Sequence, residues 1–116
     1  MSLRENDLKD RLFRFAVDVL KMLGSIKGGK ETDVIKYQLS KSATSSGANY
    51  EESQAASSKA DFINKVSISL KEMRESNYWL RIIREMFPNM EDIVSFITES
   101  EELSKILASI ILKARS

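Results

Sequence analysis

Apolar residues in this chain recur at steps of three and four almost from end to end, and strict polar/apolar alternation is hard to find. That period belongs to helices with one buried face and not to half-buried strands. The first segment carries Leu8, Leu12, Phe15, Ala16, Val19, Leu20, Leu23 and Ile26 on one such stripe. Ser2 with Glu5 has the spacing of a capping box, and "GSIKGGK" supplies a glycine-rich stop, so a helix is expected over 4–27. Phe13, Val17 and Met22 lie off the stripe, which makes the apolar surface of this helix wider than a single seam.

Later in the chain, Phe62, Val66, Ser69, Met73, Ser76, Leu80, Ile83 and Phe87 alternate steps of four and three, the spacing of helices that pack nearly parallel. Pro88 ends this helix, expected over 58–87, because proline disfavours helical geometry in the residue before it. Asn89 is then a candidate N-cap, with Glu91 and Asp92 in the first turn of a fourth helix over 90–115. Its phase runs unbroken through Ile93, Phe96, Ser100, Leu103, Leu107, Ile110 and Ala114. A kink near Ser100 stays open.

The stretch between, "SKSATSSGANYEESQAASSKA", has the composition of a linker. It nevertheless holds a helical track through Ile35, Leu39, Ala43, Ser46 and Tyr50, and a polar one through Gln38, Ser42, Ser45, Asn49 and Glu52. A tether has no reason to keep that period, so a second helix is expected over 31–56, with Glu31 and Asp33 near its first turn. Four helices of similar length with short connections predict an all-α fold: one domain, an antiparallel up-down-up-down four-helix bundle. Small residues in the second helix allow a neighbour to approach closely. Gly47 inside it gives up about 1 kcal/mol of helix propensity against alanine, a loss that close packing is expected to offset.

Composition narrows the chemistry. The 116 residues contain neither cysteine nor histidine. Disulfides, zinc-thiolate clusters, imidazole metal ligation and the Ser-His and Cys-His nucleophile systems are therefore excluded. No metal, cofactor or enzymatic activity is expected. No apolar run approaches a membrane span and the first residues lack an apolar signal core, so the expected setting is soluble and cytoplasmic. Net charge is only +1, which argues against a chain built mainly to neutralise phosphate. Its distribution alternates: basic groups outnumber acidic ones seven to four in residues 1–30 and six to four in 59–88, while acidic groups lead four to two in 31–58 and five to three in 89–116.

Three sets of residues are candidates for more than packing. Gln38, Ser42, Ser45, Asn49 and Glu52, joined by Glu72 and Trp79, form a polar seam that suits either a hydrogen-bonded helix or subunit interface, or a ligand site. Glu52, Glu72 and Glu75 are the carboxylates nearest to a metal set, although Lys71 and Arg74 sit beside them. Arg11, Arg14, Lys71, Arg74, Arg81 and Arg84, with Tyr78 interleaved, form a basic set that would contact nucleic-acid phosphates or remain solvated surface charge.

The stretch Tyr37–Glu85 combines Gln38–Leu39, Lys41–Ser42–Ala43, Ala48–Asn49 with Glu52, Lys59 with Phe62, Ser69–Leu70 with Glu72, and Tyr78–Trp79–Leu80. This combination resembles the four-helix bundle family first noted as reading frames inside intervening sequences of bacterial 23S rRNA genes. The likeness is looser outside that stretch. Lys41 stands where the family often has arginine, and Ser53 where a glycine is common. The resemblance implies a left-handed up-down-up-down bundle assembling as a ring-like homopentamer, with no established enzymatic activity. A related branch, the accessory proteins of diversity-generating retroelements, binds nucleic acid through a strongly basic pentameric barrel. The expectation is thus a non-enzymatic assembly or scaffold protein, with a nucleic-acid-binding accessory protein as the alternative.

Overall fold

The structure, a computed structural model, describes the backbone of residues 3–116 and the side chains from Asp7 onward. Four helices follow one another: α1 (Leu3–Gly24), α2 (Lys30–Ser53), α3 (Lys59–Met86) and α4 (Ile93–Arg115). Among the described residues there is no strand. Each helix packs on its neighbours in the cycle α1–α2–α3–α4–α1, and among the described residues no diagonal pair of helix backbones comes as close. Interhelical partners rise along one helix as they fall along the next, Ser42 with Ser76 and then Ser46 with Ser69, so neighbours run antiparallel. The rod measures 44 × 23 × 20 Å, and the 28 residues of α3, at about 1.5 Å each, account for its length.

The serine-rich stretch is an unbroken helix from its start to Ser53. Its expected track is the buried one, with Ile35, Leu39, Ala43, Ser46 and Tyr50 all inside. Hydroxyls there do interhelical work. Ser46 Oγ donates to the Ser69 carbonyl at 2.8 Å and Ser69 Oγ returns a bond to the Ser46 carbonyl at 2.7 Å. Ser42 and Ser76 share a 2.8 Å hydroxyl pair. These bonds need close backbones, which the small side chains allow, and they tie α2 to α3 at two levels. No buried side-chain N or O atom is left without a partner among the described residues, as a low-dielectric interior demands.

Gly47 faces α1. A Cβ built on it would meet the Leu12 carbonyl oxygen at 3.6 Å and Leu12 Cβ at 3.7 Å, ordinary van der Waals distances. Packing therefore does not require glycine here, contrary to the sequence expectation.

Helix ends depart from expectation by a few residues, for local reasons. The first helix stops at Gly24, not 27, because Ser25 and Ile26 bond back three residues to Met22 and Leu23 and tighten the chain into the turn. The Lys36 ammonium then donates to the Ile26 carbonyl, joining the turn to α2. The expected Ser2–Glu5 capping box lies outside the described residues. α2 ends at Ser53, three residues early, where Gln54, Ala55 and Ala56 likewise bond three residues back. Ser58 caps α3 by accepting the Asp61 amide at 3.0 Å, while Asp61 accepts the Ser57 amide at 3.2 Å. α4 begins at Ile93 behind Asp92, so Asn89 is not its cap and Glu91 and Asp92 precede its first turn. From there it runs through Ser100 without interruption.

Spacing around the bundle follows side-chain size. α2, α3 and α4 approach closely where Ser, Ala and Asn meet. Among the described residues the α1–α4 contact is thinner than the others, and α1 fills its interior with the bulky Leu12, Phe15, Val19 and Met22. Met22 is thus core and not surplus surface, whereas Leu20, expected inside, is 44% exposed.

Candidate functional site

The basic residues predicted from sequence do not form one surface. Arg11 bridges the α1–α4 seam: Nη2 donates to Glu99 Oε1 at 2.7 Å and to Glu102 Oε1 at 2.9 Å, and Nε to Glu99 Oε2 at 3.1 Å. The Glu99 bonds do most to raise the guanidinium's pKa above its ordinary value, partial burial opposes them, and Glu102 adds to the rise. Two carboxylates already neutralise this cation. Arg14 stands 4.0 Å from Asp18 across an i,i+4 pair, and Arg84 Nε lies 3.9 Å from Glu85. Lys71 is exposed on α3.

Arg74 and Arg81 are brought together with a residue that the sequence reading missed. They line an open groove of about 500 Å³ between α3 and α4, with Asn77, Glu101, Ser104 and Lys105. The two arginines are seven positions apart, two helical turns or about 10 Å along the axis. Arg81 is held in place: its Nε donates to Asn77 Oδ1 at 2.9 Å, Asn77 Nδ2 donates to Ser100 Oγ at 2.9 Å, and Ser100 Oγ donates to the Ile97 carbonyl at 2.7 Å. The guanidinium carbon also lies 5.7 Å from the centre of the Tyr78 ring. A buried serine on α4 thus orients a surface cation on α3 through one amide. Helical spacing alone does not show which residues of two helices face a common groove, so Lys105 had no signal. Asn77, a mid-helix amide one step from the core residue Ser76, was a signal that went unused.

The polar seam divides by depth. Ser42 is buried and bonded to Ser76. Gln38, Ser45, Asn49, Glu72 and Trp79 are half-buried along the outer α2–α3 flank, and Glu52 is exposed, 3.3 Å from Lys65. Asn49 bonds back to Ser45 within its own helix. Trp79 Nε1 donates to Glu75 at 3.1 Å, with Tyr78 edge-on to the indole. Among the described residues no three carboxylates converge to hold a metal, and no helix is long and apolar enough to cross a membrane.

Helix order, interhelical serine bonds and matched rod lengths define an all-α four-helix bundle in which nothing points to catalysis. The model of the 23S rRNA-intervening sequence protein family matches residues 4–109, and the chain belongs to that family. A crystal structure of a protein of unknown function from the S23 ribosomal protein family of Bacteroides thetaiotaomicron VPI-5482 is similar throughout. It is 37% identical, with a TM-score of 0.80 over 90% of this chain and 97% of the other. No curated protein matches the chain.

Proposed function

We propose that this protein is a non-enzymatic scaffold that works as a homo-oligomer, with the pentamer implied by its family resemblance as the subunit count. One observation carries the reading: Phe13, Val17 and Leu20, spaced i, i+4, i+7, form an apolar row on the outer face of α1, with Phe13 57% and Leu20 44% exposed. Tyr37 on neighbouring α2 is a further exposed ring, at 64%. A helix with a complete buried stripe and a second apolar row has a surface to hide from water. A ring of five needs two different patches on each protomer. The α3 flank carrying Ile68, Trp79 and Ile82, all half-buried, suits the second.

Light scattering on the purified protein at micromolar concentration tests this reading. The wild type is expected as a single oligomer, and Phe13→Glu/Leu20→Glu as a folded monomer with unchanged helical circular dichroism. A monomeric wild type, or a double variant of undiminished mass, refutes it.

A further inference from the structure

We propose that the α3–α4 groove binds the phosphodiester backbone of single-stranded nucleic acid, with Arg74, Arg81 and Lys105 contacting phosphates and Tyr78 offering a stacking surface at the rim. Three cations against one carboxylate, Glu101, line the groove. None of the three forms an ion pair within 4.0 Å among the described residues, so the groove keeps an excess of positive charge over Glu101. Cations left unneutralised in a concave, polar-lined site attract anions, and the open shape admits a continuous chain.

Arg81 carries the specific part of the argument. Asn77 occupies its Nε, and among the described residues no hydrogen bond engages its two terminal nitrogens, the pair that forks onto a phosphate. The Ser100–Asn77 relay holds the guanidinium ready, which lowers the ordering cost of binding. Asn77 is thus a positioning residue. Tyr78 is 50% exposed, and a half-exposed ring beside a cation is the element that sequence-tolerant single-strand binders use. The basic set read from sequence is thereby revised: Arg74 and Arg81 stay, Lys105 joins them, and Arg11 leaves.

This inference is independent of the assembly reading, and the test separates them by measuring mass and binding on the same samples. Fluorescence anisotropy with a labelled single strand of about 12 nucleotides, at about 50 mM salt, should show saturable binding. The slope of log affinity against log salt should be about −2 for three phosphate contacts. Arg74→Gln/Arg81→Gln should weaken binding about tenfold or more and flatten the slope to about −0.7. Asn77→Ala should weaken binding while leaving the slope unchanged, because it removes orientation and no charge. Lys27→Gln/Lys30→Gln, which removes two charges that do not line the groove, should leave binding near wild type. Helical circular dichroism checks that each variant folds. No binding by the wild type overturns the proposal, as does equal loss in the two double variants. So does a duplex of the same length bound as tightly as the single strand, or inorganic phosphate displacing the strand at equal concentration.

Discussion

Gly47→Ala is expected to stabilise the bundle, although the glycine sits buried where α2 meets α1. The added methyl would lie 3.6 Å from the Leu12 carbonyl oxygen and 3.7 Å from Leu12 Cβ, so it fills space without displacing backbone. Removing a glycine from a helix interior is worth about 1 kcal/mol in propensity. For a domain of this size that corresponds to a rise of about 4 °C in melting temperature. Thermal unfolding followed by circular dichroism measures it, with wild type and variant at one protein concentration because association couples to the midpoint. Gly47→Leu provides the opposite arm: its longer side chain runs into Leu12 of α1, and overpacking costs about 1–3 kcal/mol. A midpoint that is unchanged or lower in Gly47→Ala would show that α1 and α2 press together more tightly than these distances indicate, and the reasoning would fail.

Arg11→Met should cost about 1 kcal/mol in urea unfolding, since it removes a partly buried fork and leaves Glu99 and Glu102 facing each other. Arg11→Lys should recover only part of that, because an ammonium cannot span both carboxylates in the same way. Ser46→Ala and Ser69→Ala should each cost about 1 kcal/mol. The double variant should cost less than their sum by about 0.5 kcal/mol, since the two hydroxyls are 3.2 Å apart. Strict additivity in that cycle would mean that the two bonds act separately.

The helices were legible because their signal is local. Ile35, Leu39, Ala43, Ser46 and Tyr50 keep helical phase through a stretch whose composition reads as linker, and phase proved the better guide. Where the reading slipped, the deciding force came from outside the segment. Leu20 and Met22 exchange roles because the stripe of α1 is set by where α2 and α4 lie, which α1 alone does not encode. Arg11 looked like an available cation because Glu99 is 88 residues away. The Arg81–Asn77–Ser100 relay crosses two helices, so each member read singly was only a charge, an amide and a small core residue. Charge alternation between quarters of the chain anticipated that neighbouring helices complement one another, without saying which pairs meet.

The uneven side-chain sizes give the molecule a spine and a fore-edge, as in a bound book. Reciprocal serine bonds stitch α2 to α3, while the α1 and α4 covers meet over bulkier residues, fastened on the outside by the Arg11 clasp. Partial opening should begin at that free edge, so amide protons along the α4-facing side of α1 trade with solvent well before those on the stitched side of α3.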